Sequence, residues 1–241
     1  MTSYLFRIFG ESEAVARLLP ALAGVALVAA LLTARPYLGR TAALIAALFV
    51  AVSPLFIVVS RSAVPFSTGS LLAMIMAASL FAYLREPRPG PLFAFIAATA
   101  LAPLTDAVAV SAGLAVLAYL ALEAGILGNR DAGRAWAAFR SSPLQWGSSF
   151  LVAAAAVELG LTHFGTSVDK TGLPGLRQWA EMFDARRDDR APEYHMALLT
   201  AYDWPILAAG VGGFVTLAVR VAQGGTGAVT PFQRWLLVWT V

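Results

Sequence analysis

The sequence predicts an all-α fold: a polytopic transmembrane helix bundle of about seven or eight helices with one sizeable outer loop. Three observations point to it. The 241 residues are 59% hydrophobic and only 13% charged, with mean hydropathy +0.73, far above what one soluble core of this length needs. Apolar runs recur near the ~20 residues that cross a hydrocarbon layer of ~30 Å. Prolines, glycines and arginines punctuate the ends of those runs.

Composition also excludes several function classes. With no cysteine there is neither a disulfide framework nor a thiolate metal site, and two separated histidines make no histidine cluster. Sixteen arginines and one lysine against 14 acids are scattered between apolar runs without a basic block, so nucleic-acid binding has no support. Met1 to Arg7 lacks the charged start, apolar middle and small-residue cleavage site of a secretory signal.

The first span reads as residues 14–34, closed by Arg35-Pro36, and the second as 41–59, opened by Gly39-Arg40 and followed by Ser60-Arg61. The third, 66–84, ends in Arg85-Glu86-Pro87-Arg88-Pro89-Gly90-Pro91, where prolines remove donors and stop a helix. Residues 92–104 are short for a crossing, and Pro103 with Thr105-Asp106 sets them apart from a full span at 107–127. Residues 128–143 carry Arg130, Arg134 and Arg140, with a short surface helix expected around Ala135-Trp136, before a span at 146–164. Residues 165–193 mix five cations with six acids and form the outer hydrophilic loop. Pro192 opens a long helix to about residue 219, with a kink expected at Pro205, and Pro231 opens an incomplete span at 231–241.

The short connections at 35–40, 85–91 and 128–143 hold two, two and three arginines, and those at 60–65 and 105–106 hold one and none. The positive-inside rule then places the first group in the cytoplasm and the N-terminus outside, in a cell (inner) membrane. By alternation Arg61, Asp106 and the loop 165–193 share the outer face.

That face gathers the candidate site residues: Arg61, Glu158, Trp179, Tyr194, His195 and Tyr202 for substrate binding, and Asp106 and Asp203 as candidate catalytic carboxylates. Ionisable groups at the edge of hydrocarbon are costly unless paired or wet, so a one-sided cluster fits a polar cavity opening outward. Each residue also has a plainer role. Asp106 stands where a helix starting at Ala107 needs an N-cap. Arg61 suits an interfacial snorkelling arginine as well as a phosphate ligand, and the aromatics suit a membrane-interface belt. Glu158 sits within helical reach of Thr162 and His163. Taken together, an arginine, aromatics and carboxylates beside apolar helices match a lipid-linked sugar phosphate, since arginine fits phosphate and aromatics stack on sugars. No cofactor is identified; the residues name no metal site and leave a divalent metal open.

Phe9-Gly10-Glu11-Ser12-Glu13-Ala14-Val15-Ala16-Arg17-Leu18-Leu19-Pro20-Ala21-Leu22-Ala23-Gly24, then Leu38-Gly39-Arg40-Thr41-Ala42-Ala43-Leu44, Val52-Ser53-Pro54 and Ser60-Arg61, resemble the early helices of GT-C membrane glycosyltransferases, of the protein mannosyltransferase and aminoarabinose transferase type. Phe164-Gly165-Thr166-Ser167, Gln178-Trp179, Arg190-Ala191-Pro192-Glu193-Tyr194-His195 and Tyr202-Asp203-Trp204-Pro205 resemble the subgroup called flippase activity-associated proteins. The resemblance implies an inverting transferase that takes a sugar from a polyprenyl phosphate at the outer membrane face. Its partners would be the bilayer, that donor and an acceptor the residues do not name.

Two departures shape the expectation. The resemblance implies a catalytic acid upstream of Phe9-Gly10, and none of the eight residues before Phe9 is acidic. Where relatives carry a basic-acidic pair, this chain has Thr105-Asp106. The expectation is therefore a fragment of a larger enzyme, with a non-catalytic scaffold or flippase accessory as the alternative.

Overall fold

The computed structural model describes residues 6, 8–62, 64–123, 130–161, 174–181 and 203–240, and among them all regular structure is helical. Twelve helices are named here: α1 Glu13–Leu31, α2 Arg35–Leu38, α3 Arg40–Val52, α4 Pro54–Arg61, α5 Phe66–Arg85, α6 Pro89–Leu101, α7 Ala107–Leu122, α8 Arg130–Ser141, α9 Pro143–Leu161, α10 Pro174–Glu181, α11 Trp204–Gly224 and α12 Pro231–Thr240. Three helical stretches are long and apolar enough to cross a membrane: Glu13–Leu38, Phe66–Arg85 and Trp204–Gly224. The pair α3 and α4 makes a fourth if taken as one bent span, and Pro89–Leu104 and Ala107–Leu122 are shorter apolar helices. The described residues thus carry three or four candidate spans against the seven or eight expected.

The chain divides into two compact units, Met1–Ser67 with Glu181–Val241, and Thr68–Ala180. In the first, Ser12 caps α1 by accepting a hydrogen bond from the Val15 N–H at 3.3 Å. Glu13 in the first turn suits the positive helix end and pairs with Arg17 one turn on. The buried residues of α1 are Pro20, Ala23, Gly24 and Leu27, one stripe at helical spacing. Pro20 has no N–H to give, but its carbonyl accepts a 2.9 Å hydrogen bond from the fully buried Ser67 hydroxyl. Gly39 turns the chain from α2 into α3 at φ +86, which residues with a Cβ rarely adopt. Against this end α12 lays Phe232, stacked on Tyr37 at 5.4 Å, with Trp235 buried beside it.

The expected continuous span at 41–59 is broken. Ser53 leaves the helix at φ −60, ψ 119, and α4 departs from α3 at 60°. The cause is local: a residue before proline is pushed away from helical angles, and Pro54 opens the next helix where a donor is not needed. The buried Ser53 hydroxyl accepts from the Phe56 N–H at 3.1 Å, satisfying one of the donors the break sets free.

In the second unit α6 packs on α9, with Tyr83, Leu92, Ile96 and Ala153 buried between α5, α6 and α9. Pro103 tightens the end of α6 into a 3₁₀ turn over Ala102–Leu104, after which Asp106 starts α7. The long helix expected from Pro192 is described from Trp204 onward, so Pro205 stands in its first turn rather than at a kink. Residues 182–202 lie outside the described residues.

Candidate functional site

The break at Ser53–Pro54 lays α4 against the C-terminal half of α1, and a cavity of about 630 Å³ forms there. Its walls come from α1 and its end (Gly24, Val28 and Leu32 among them), from the last turn of α3 and from α4. That volume is in the range of small-molecule sites, ~300–1,000 Å³. Among its described lining residues only Ser60 and Arg61 carry polar side chains.

Small residues allow this approach. A Cβ added at Gly24 would lie 2.9 Å from the Ser60 Cβ, closer than side-chain carbons pack. Ser60 donates its hydroxyl back to the Ile57 carbonyl at 3.0 Å, keeping its polarity within its own helix. Arg61 is exposed in the last turn of α4, where the negative end of the helix dipole favours a cation. Among the described residues it makes no ion pair. An apolar trough with an exposed guanidinium in its lining suits an amphiphile whose anionic head meets the arginine.

Asp106 is buried, with 3% of its surface exposed, and caps α7: its Oδ1 accepts the Val108 N–H at 2.8 Å from extended angles of φ −152, ψ 154. Gly69 on α5 closes over it, since a Cβ built there would stand 2.6 Å from the Asp106 Cβ. Asp203 is equally buried and precedes α11, but its side chain makes no capping bond; its carbonyl accepts from the N–H groups of Ile206 and Leu207 at 2.9 and 3.1 Å.

Arg61 and Asp203 belong to the first unit, and Asp106 and Trp179 to the second. Trp179 is half-buried on α10, a short helix inside what reads from sequence as loop. Glu158 lies on α9 in the second unit, and Tyr194, His195 and Tyr202 fall outside the described residues. No group of three or more His, Asp or Glu side chains able to hold a metal comes together among the described residues. Sequence reasoning gave Gly24 and Gly69 no role at the site: Gly24 entered only with the early motif, and Gly69 shows only as a glycine inside an otherwise helical run.

The family profile described as dolichyl-phosphate-mannose-protein mannosyltransferase matches residues 1–132, which include α1 to α7, Arg61 and Asp106. No curated protein and no solved structure matches the chain.

Proposed function

The chain belongs to the dolichyl-phosphate-mannose-protein mannosyltransferase family, membrane glycosyltransferases of the GT-C kind, and from that premise we propose that its first unit binds a polyprenyl-phosphate sugar at the outer membrane face. One observation supports the reading above the rest: the cavity between α1 and α4 is lined by apolar residues together with Ser60 and Arg61. The prenyl chain lies against Val28, Leu32 and Phe56, and the phosphate meets the guanidinium fork.

Transfer then follows from the charges. The acceptor hydroxyl oxygen attacks the anomeric carbon, the bond from that carbon to the phosphate oxygen breaks, and the lipid phosphate leaves with the electron pair. Arg61 stabilises the charge gathering on that leaving phosphate. The hydroxyl proton passes to a carboxylate. We assign that role to Asp203, whose side chain makes no capping bond, over Asp106, which already spends one oxygen on the Val108 N–H.

A second reading, a non-catalytic scaffold or flippase accessory, draws on that same engagement of Asp106 and its enclosure by Gly69. A photoreactive polyprenyl-phosphate sugar tests both. Crosslinking that maps to α1 and α4 and is lost in Arg61→Ala supports the donor site, whereas crosslinking that ignores Arg61 removes it. Donor capture without turnover across sugar and acceptor panels favours the scaffold.

A further inference from the structure

The amphipathic helix α8 and the start of α9 form an exposed surface that takes no part in the cavity. On α8, Trp136 stacks on Phe139 at 5.5 Å, Phe139 on Trp146 of α9 at 5.6 Å, and Trp146 meets Phe150 edge-on at 6.1 Å. This aromatic ladder crosses from one helix to the next without a gap. The middle rings Phe139 and Trp146 pack against the core of Tyr83, Leu92, Ile96 and Ala153, but the surface around them is open: Trp136 is 58% exposed, Phe150 52% and Leu151 74%, and Leu144 in the first turn of α9 is 87% exposed. Arg140 stands over the Trp136 ring, 5.6 Å from its centroid, and is itself exposed. The segment of α8 holds three arginines, Arg130, Arg134 and Arg140, against the single acid Asp131.

We infer that α8 lies flat in the headgroup region of the bilayer and binds anionic phospholipid through this surface. The chemistry is complementary on both counts. A tryptophan with its ring in the acyl boundary and its N–H near the headgroups sits where indole is most stable, and an excess of arginine beside it meets anionic headgroups. Continuity adds to it, because the ladder runs straight into the exposed apolar flank of α9, which in a membrane protein faces lipid. A protein partner would be expected to bury Leu144 and Trp136 without any need for the surplus positive charge. The occupant is the lipid surface itself, and its effect is to fix the depth of the chain between α7 and α9.

The full chain reconstituted in vesicles of phosphatidylcholine, alone or mixed with phosphatidylglycerol, tests the inference. The fluorescence of Trp136 is isolated as the difference between the wild type and Trp136→Phe. In the phosphatidylglycerol vesicles that component should be quenched by phospholipid brominated near the top of its acyl chains. It should also be shielded severalfold from aqueous acrylamide, and both effects should weaken in phosphatidylcholine alone and in Arg140→Gln. A Trp136 component untouched by the brominated lipid, or quenched alike in the two vesicle types, would overturn it. Circular dichroism of each variant confirms that the helices persist.

Discussion

Gly69 and Asp106 approach so closely that a single methyl group at position 69 would stand 2.6 Å from the Asp106 Cβ. The carboxylate is thereby held against the start of α7, where Oδ1 accepts the Val108 N–H. Gly69→Ala should therefore force the two helices apart, at a cost of about 1–3 kcal/mol typical of overpacking. The lowered thermal midpoint in detergent, followed by tryptophan fluorescence, is the measure, and an unchanged midpoint would show that the contact yields freely.

Asp106 offers a separation of roles. Asparagine caps a helix about as well as aspartate, whereas alanine costs about 1 kcal/mol. Asp106→Asn should keep the thermal midpoint and Asp106→Ala should lower it. If Asp106→Asn abolishes sugar transfer while stability holds, the residue is the base and Asp203 is not.

Arg61→Lys keeps the charge but loses the planar fork that grips a phosphate by two hydrogen bonds. Donor affinity should fall about tenfold or more, roughly 1.4 kcal/mol, and further in Arg61→Ala, as read by competition against the photoreactive donor. Equal affinity in all three proteins would leave Arg61 as an interfacial anchor.

Gly24→Val adds a branched side chain whose Cβ would stand 2.9 Å from the Ser60 Cβ, where α1 and α4 meet. The cavity should close and donor capture drop, while Gly210→Val, where nothing lies within 4 Å, should leave capture unchanged. Matching losses in both variants would mean that the effect is not specific to the cavity.

The orientation read from arginine counts gives a direct test, because the chain has no cysteine of its own. Thr171→Cys and Asp188→Cys should react with an impermeant thiol reagent in intact cells, and Asp131→Cys only after the membrane is opened. The opposite pattern reverses the membrane face assigned to the donor site.

The sequence by itself determined the helical, membrane-spanning class, because hydropathy and its interruption by Pro, Gly and Arg are local properties that any packing must obey. It also carried the cap at Asp106, since the requirement that a helix start places on its first residue does not depend on distant contacts. The early motifs around Phe9-Gly10, Val52-Ser53-Pro54 and Ser60-Arg61 sufficed for the GT-C likeness, which the match over residues 1–132 supports. What Ser53-Pro54 does was less legible: the pair reads as one more polar step in an apolar run, and only the folded chain shows a 60° departure that swings α4 onto α1. The cavity before Arg61 and the enclosure of Asp106 were decided by tertiary structure alone. Both depend on a glycine of one helix meeting a side chain tens of residues away, and an amphipathic pattern reports which face is buried but not which atom it will touch.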